Sequence, residues 1–285
     1  MISNLKDAIC IVTGGTRGAG RGIALELGQQ GATVVVTGRS LNHNFTEKNP
    51  ETLNETAQLV EEVGGKCHPI MCDHTKEDDI IKVSRMIKEK FGKVDLLVNN
   101  VWGGYERYDN TFDDNFWKQP LWRWDKMFNS GVRAHFLTSK YIAPIMMEHK
   151  YGLIINTTFW DEGRFFTPLP YNVAKNAVNR LAYCMALELK KYNIAVLSLS
   201  PGWMRTEKIK REYLVDDYNY KEIEILKKTE STRYIGKAVV SLLTDPNIKE
   251  KTSKVLYVGN LAREYGFTDL DGSQPERCIA SDVIE

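Results

Sequence analysis

The sequence predicts an α/β fold: a doubly wound parallel sheet of about seven strands, with helices on both faces, in a single domain. Three observations predict it. A short apolar run at 8–12 leads into the glycine-rich stretch Thr13-Gly14-Gly15-Thr16-Arg17-Gly18-Ala19-Gly20, which opens a helical pattern over 18–30. Strand-like and helix-like segments then alternate with no break in composition. The segment 33–38 is a β-branched run without polar alternation, as expected where helices cover both faces of a strand.

Strand, glycine turn and helix form the order that a dinucleotide-binding turn requires. Glycines let the backbone bend sharply and approach a pyrophosphate. The first helical turn then offers free N–H groups and the positive dipole end to an anion. The spacing here is Thr-Gly-x-x-x-Gly-x-Gly rather than Gly-x-Gly-x-x-Gly, and glycine-rich turns of this kind also occur without a ligand.

Composition narrows the function. A chain of 285 residues can bury a sizeable core. A net charge of +1 with no basic stripe argues against nucleic acid as a partner. No apolar run is long enough to span a bilayer. Residues 1–7 pass directly into the first strand, which argues against a signal peptide and for a cytoplasmic protein. Cysteines at 10, 67, 72, 184 and 278 are odd in number and scattered, as reduced thiols would be. Cys67 and Cys72 lack zinc spacing and the histidines are dispersed, so no metal site is expected.

The second strand, 33–38, ends in Arg39-Ser40. In a dinucleotide fold this strand end faces the adenosine ribose. An acid there would bond the 2′-hydroxyl of NAD, whereas an arginine can pair with the 2′-phosphate of NADP. Arg39 and Arg17 are the candidates. Two charge-assisted bonds of about 1.5–3 kcal/mol each would favour NADPH by at most about 3–6 kcal/mol before solvent screening. The alternative for Arg39 is a solvated loop charge.

Residues 41–50 read as an irregular surface insertion, and a helix over 52–63 stops at Gly64-Gly65. A third strand over 66–71 leads to Asp73, which could accept from an adenine amino group or cap the next helix, 76–91. A fourth strand, 94–98, delivers Asn99-Asn100 to the carboxyl edge of the sheet, where open α/β folds bind ligands. The loop 102–122, with Tyr105, Tyr108, Phe112, Phe116 and Trp117, could wall a substrate pocket or pack on its own cluster.

A long helix over 121–148 is apolar on more than one face, which suggests packing against both the sheet and a partner subunit. The fifth strand, 152–158, is followed by a helix opening at Tyr171 and running to 192. Tyr171 and Lys175 are four apart, hence on one helical face. After a sixth strand, 194–199, come Pro201, Gly202 and Thr206 and a charged segment, 207–230. A helix over 231–243, a seventh strand near 255–258 and a mostly irregular tail, 260–285, complete the chain. Residues 1–110 form mainly a cofactor half and 111–259 a catalytic and substrate half.

In kind and order, Thr13-Gly14-x-x-x-Gly18-x-Gly20, Asp73, Asn99-Asn100, Tyr171-x-x-x-Lys175 and Pro201-Gly202 with Thr206 resemble the short-chain dehydrogenase/reductase family. A closer resemblance is to the branch that includes dehydrogenase/reductase family member one and related bacterial oxidoreductases. It rests on residues 200–207 and on the tail, 261–272. The resemblance implies a Rossmann-type domain, an NAD(P) cofactor and hydride transfer between nicotinamide and a carbonyl or alcohol. The two arginines favour NADP(H), with NAD(H) as the alternative. Tyr171 would be the acid/base and Lys175 its partner, which also bonds the nicotinamide ribose. Cofactor contacts would come from Gly14, Thr16, Arg17, Gly18, Gly20, Arg39, Ser40, Asp73, Asn99, Pro201, Gly202 and Thr206 as well as the catalytic pair. A homodimer or homotetramer is implied too. A tyrosine of pKa about 10 is ionised to about one part in a thousand at pH 7, and a neighbouring ammonium favours its phenolate.

Two positions depart from the family pattern. The helper serine thirteen residues before the tyrosine falls on Thr158, or on Phe159 if counted from the strand start. An asparagine expected on the long helix is replaced by Gly131, in Gly131-Val132-Arg133-Ala134-His135-Phe136. Asn129 would lie about 200° away on an α-helix. These departures motivate an alternative, a dinucleotide-binding sensor or scaffold with degraded catalysis. A nucleotide-sugar epimerase would need a larger C-terminal substrate domain than the fewer than thirty residues after the last strand. Family members accept steroids, sugars, acyl thioesters, quinones and xenobiotics through a variable lid, for which 207–230 and the aromatic loop are the candidates.

Overall fold

Strand β1, Ile9–Thr13, is buried at every position, and the glycine turn after it enters α1, Gly18–Gln29. The computed structural model describes residues 5–42, 50–105, 111–165 and 168–278; Tyr108 of the aromatic loop and the end of the tail lie outside them. Next come β2 (Thr33–Gly38), α2 (Leu53–Glu62), β3 (Lys66–Met71), α3 (Glu77–Phe91) and β4 (Leu96–Asn99). Helix α2 begins with a reciprocal capping box, Thr52 accepting from the Glu55 N–H while the Glu55 carboxylate accepts from Thr52 N–H.

The expected long helix is present but not regular. It runs as α4 (Leu121–Met127), a π-helical turn over Phe128–Arg133, and α5 (Ala134–His149). The wider π turn alters the angular offset between Asn129 and position 131 that an α-helix would impose. Strand β5 (Gly152–Thr157) precedes α6 (Leu169–Leu189), which starts two residues before Tyr171.

Strand β6 (Ile194–Ser200) leads to the short strand β7 (Met204–Arg205) and to α7 (Glu207–Tyr213). The charged segment is therefore partly ordered, and at its end β8 (Glu230–Ser231) pairs with β7. Helix α8 (Thr232–Thr244) and strand β9 (Val255–Tyr257) follow. The tail departs from expectation. Val258–Tyr265 is a helix, α9, because Val258, Leu261 and Ala262 form a buried stripe, and Gly266 ends it at φ +75°.

The main sheet is parallel, in the order β3-β2-β1-β4-β5-β6-β9. Adjacent residues of a strand feed opposite cores. Cys10, Val12, Val34 and Val36 pack under α1, α2, α8 and α9, whereas Ile11, Val35, Leu97 and Ile154 pack under α3, α5 and α6. Chain order reverses between β1 and β4, and that opens a crevice at their carboxyl ends.

Candidate active site

The crevice floor is the glycine turn. Gly14 and Gly18 hold φ of +66° and +58°, a left-handed backbone natural to glycine. A Cβ on Gly20 would lie 2.2 Å from the Gly14 carbonyl oxygen. Asn100 pins the turn from β4: its amide donates to the carbonyls of Thr13 (3.1 Å) and Gly14 (3.2 Å), and its backbone N–H donates to Thr13 Oγ1 (2.9 Å). Asn99, singled out from the sequence, instead turns inward. It donates to Ser139 Oγ at 2.9 Å and Asn156 Oδ1 at 2.8 Å. The side chain at the turn is thus Asn100: the sequence delivers the pair to this edge, and strand alternation decides which of the two faces the turn.

The start of α1 already attracts an anion. The Gly18 N–H donates to the Glu207 carboxylate at 2.8 Å, and Arg21 lies 3.7 Å from the same group. Thr206, the N-cap of α7, packs against Gly18. Arg17 and Thr16 are partly exposed at the same turn. Among the described residues, no group of three or more His, Cys, Asp or Glu is placed to hold a metal ion.

Arg39 and the buried Ser40 leave the end of β2, and Asp73 the end of β3. Asp73 accepts from the N–H (3.0 Å) and hydroxyl (2.7 Å) of Thr75, so it shapes the turn into α3. Burial alone would raise its pKa, but the Thr75 bonds and then the Arg39 charge hold it below the ordinary value.

Tyr171 and Lys175 sit one turn apart on α6, both buried. Tyr171 is packed among Trp102 (centroids 5.5 Å apart, edge-on), Phe159 (6.0 Å) and Tyr105 (6.1 Å). The Lys175 ammonium lies 5.6 Å from the Tyr171 ring centroid. Burial pushes Lys175 down to about 7. The same burial, then Tyr105, drives Tyr171 well above its ordinary range. In the free protein the shift of Tyr171 is therefore set by burial and by Tyr105, and it runs opposite to the one expected from a neighbouring ammonium. Tyr171 is held as the neutral phenol, the form that can give up a proton.

Thr158 lies one residue past β5, which ends at Thr157 and not at 158, and its hydroxyl faces backbone, donating to the carbonyls of Lys175 (3.3 Å) and Phe159 (3.4 Å). The ring of Phe159 is what faces Tyr171. Pro201 and Gly202 follow the carboxyl end of β6. The Gly202 N–H donates to Glu230 Oε2 at 3.0 Å, and burial pushes that carboxyl up to about 8. The sequence marks Glu207 only within the stretch 200–207 and Trp102 only within the aromatic loop, and it does not mark Glu230, because the contacts of all three span long chain separations.

The two halves join through three consecutive residues. Asn100 and Val101 pack on Gly14, and Trp102 packs on Tyr171 and Lys175. A turn whose Gly15 and Gly20 leave no room for a side chain, and which already holds a carboxylate, suits a pyrophosphate, so the residues present fit a bound dinucleotide.

A family model described as short chain dehydrogenase matches residues 8–214. The chain is 38% identical over 278 residues to dehydrogenase/reductase SDR family member 1 of Mus musculus, covering 95% of this chain and 86% of that protein. It is 30% identical over 208 residues to L-rhamnose 1-dehydrogenase (NADP(+)) of Thermoplasma acidophilum, covering 72% of this chain and 75% of the relative. Among solved structures, a short chain dehydrogenase from Mycobacterium thermoresistibile superposes with a TM-score of 0.81 at 25% identity, covering 97% of this chain and 95% of that one.

Proposed function

Because the chain belongs to the short-chain dehydrogenase/reductase family of NAD(P)-dependent oxidoreductases, we propose that it moves hydride between NADP(H) and a carbonyl or alcohol, with Tyr171 as proton donor and Lys175 as its partner. The observation that carries this reading is the buried Tyr171–Lys175 pair joined to the glycine turn through residues 100–102. When bound, the cofactor supplies or accepts the hydride. The chain's own groups manage the proton and the charge. In reduction, the Tyr171 phenol donates its proton to the developing alkoxide, help worth about 10²–10⁴ in rate. In oxidation, Tyr171 must first ionise, and the Lys175 ammonium lowers the cost of that step.

The N–H groups at the start of α1 would hold the pyrophosphate between Gly14, Thr16, Gly18, Gly20 and Thr206. Arg17 and Arg39 would face the 2′-phosphate, in keeping with the NADP(+) in the name of the 30%-identical relative. Ser40 and Asp73 would border the adenosine, and Pro201 and Gly202 the nicotinamide. Thr158 would turn its hydroxyl from the Lys175 carbonyl and donate it to the substrate carbonyl oxygen, and Asn99 would brace the strand ends. Trp102, Tyr105, Phe112 and Phe159 favour an apolar or ring-bearing carbonyl. Exposed Phe136 on α5 and Val173, Tyr183 and Leu187 on α6 support a homo-oligomer formed by these helices. Five unbridged cysteines agree with a reducing, cytoplasmic setting.

The test is fluorescence titration with NADPH and NADH, followed by a panel of aromatic and alicyclic ketones assayed with the tighter cofactor. Turnover that Tyr171→Phe abolishes while NADPH still binds is the expected result. Binding without turnover of any carbonyl would favour a dinucleotide-binding sensor, the reading that the backbone-facing Thr158 hydroxyl supports. Binding of neither cofactor would overturn the oxidoreductase reading.

A further inference from the structure

Trp102 stands on the loop leaving β4. Its indole face lies 3.9 Å from the Lys175 ammonium nitrogen and its ring meets Tyr171 edge-on. The long helix makes room for it. A Cβ at position 131, in the π turn, would lie 2.5 Å from Trp102 Cζ3 and 2.7 Å from Cε3. Gly131 is thus small because an indole occupies the space that a side chain there would take.

The other neighbours do little to fix the ammonium. Burial alone acts on Lys175, with no acid opposing it. Thr158, just past β5, meets Lys175 through its backbone carbonyl and not its ammonium. His135, from α5, is buried and bonds the Val101 carbonyl through Nε2 at 3.1 Å. Burial and then the Lys175 charge push His135 down to about 3, so it stays neutral. Tyr105, Cys278 and Asp161 act on Tyr171.

We propose that Trp102 is a positioning residue for Lys175, its indole face fixing the ammonium beside Tyr171 in the space that Gly131 leaves open. This rests on the reading of Tyr171 and Lys175 as the acid–base pair. The negative face of an indole attracts an ammonium and not a neutral amine, so it opposes the effect of burial. It does so without a counter-charge. A carboxylate in its place would hold Lys175 as firmly but cancel its field at Tyr171, and the ammonium would no longer favour ionisation of the phenol.

The experiment is trace acetylation of the whole chain across pH 5 to 9, read peptide by peptide by mass spectrometry. It compares the wild type with Trp102→Phe and Trp102→Leu. The Lys175 midpoint should fall by about 0.5–1 pH unit in Trp102→Leu, with most of that shift recovered in Trp102→Phe. An unmoved midpoint in Trp102→Leu, or equal falls in both variants, would overturn the proposal, the second because bulk alone would then account for the effect. Should Trp102→Leu not fold, Gly131→Ala displaces the indole while keeping it. The same downward shift is expected there, and an unmoved midpoint again overturns the proposal. Turnover by Tyr171→Phe, measured in parallel, reports on the underlying reading. Retained turnover removes the acid–base pair, whereas lost turnover with an unmoved Lys175 midpoint removes only the role of Trp102.

Discussion

Arg205 and Asp269 meet in the interior with both side chains wholly buried, Nη2 lying 3.3 Å from Oδ2. Arg205 also donates to the Thr229 carbonyl at 2.6 Å and stacks 3.5 Å over the Tyr220 ring. Asp269 accepts in addition from the N–H groups of Ser231 and Leu270, each at 2.8 Å. One ion pair therefore ties β7, β8, the end of the charged segment and the tail together. Removing one member leaves an uncompensated buried charge, which costs about 3–5 kcal/mol. Asp269→Ala should lower stability by that amount in urea unfolding and speed proteolysis within 207–230. A loss under about 1 kcal/mol would mean that Asp217, 3.5 Å from Arg205, takes over.

Glu207 occupies the N–H group of Gly18 where an anionic cofactor would sit. Two anions cannot share that position without cost. Glu207→Gln should tighten NADPH binding by up to about tenfold, equivalent to about 1.4 kcal/mol, in a fluorescence titration. Unchanged affinity would show that the carboxylate stays beside Arg21 and out of the cofactor's way.

Arg39 acts on Asp73 and stands at the end of β2. Arg39→Ala should weaken NADPH by about tenfold and leave NADH within about twofold, since a partly exposed guanidinium retains only part of a charge-assisted bond of about 1.5–3 kcal/mol. Equal losses for both cofactors would assign Arg39 to folding of the strand end.

Glu230 is a buried acid whose folded pKa, about 8, stands above its ordinary 4.5. Between those values the folded chain keeps a proton that the unfolded chain has lost, so this group's contribution falls as pH rises. The slope is at most about 1.4 kcal/mol per pH unit. Glu230→Gln, which can still accept from Gly202 N–H, should therefore gain stability over the wild type as pH rises from 5 to 8. Urea midpoints at pH 5, 6.5 and 8 measure this, and a constant difference would show that Glu230 is ionised throughout.

What the sequence reveals depends on how far apart the partners lie. The glycine turn and the Tyr171–Lys175 spacing are local, and the structure keeps both where the backbone rules put them. Glu207 meets Gly18 across 189 residues, and Arg205 meets Asp269 across 64, so neither contact leaves a local pattern. The protonation of Tyr171 is a property of burial, which spacing along a helix does not express. Helix α9 was legible: Val258, Leu261, Ala262 and Tyr265 recur at helical intervals, but the turn residues that follow them mask the pattern.

The two ends of the sheet discourage growth. β3 carries Pro69, which removes an N–H from the row that an incoming strand would need, and it opens on the exposed Lys66. At the other end β9 offers only three residues. Neither edge is a good template for another chain, so accidental pairing of sheets into aggregates is resisted.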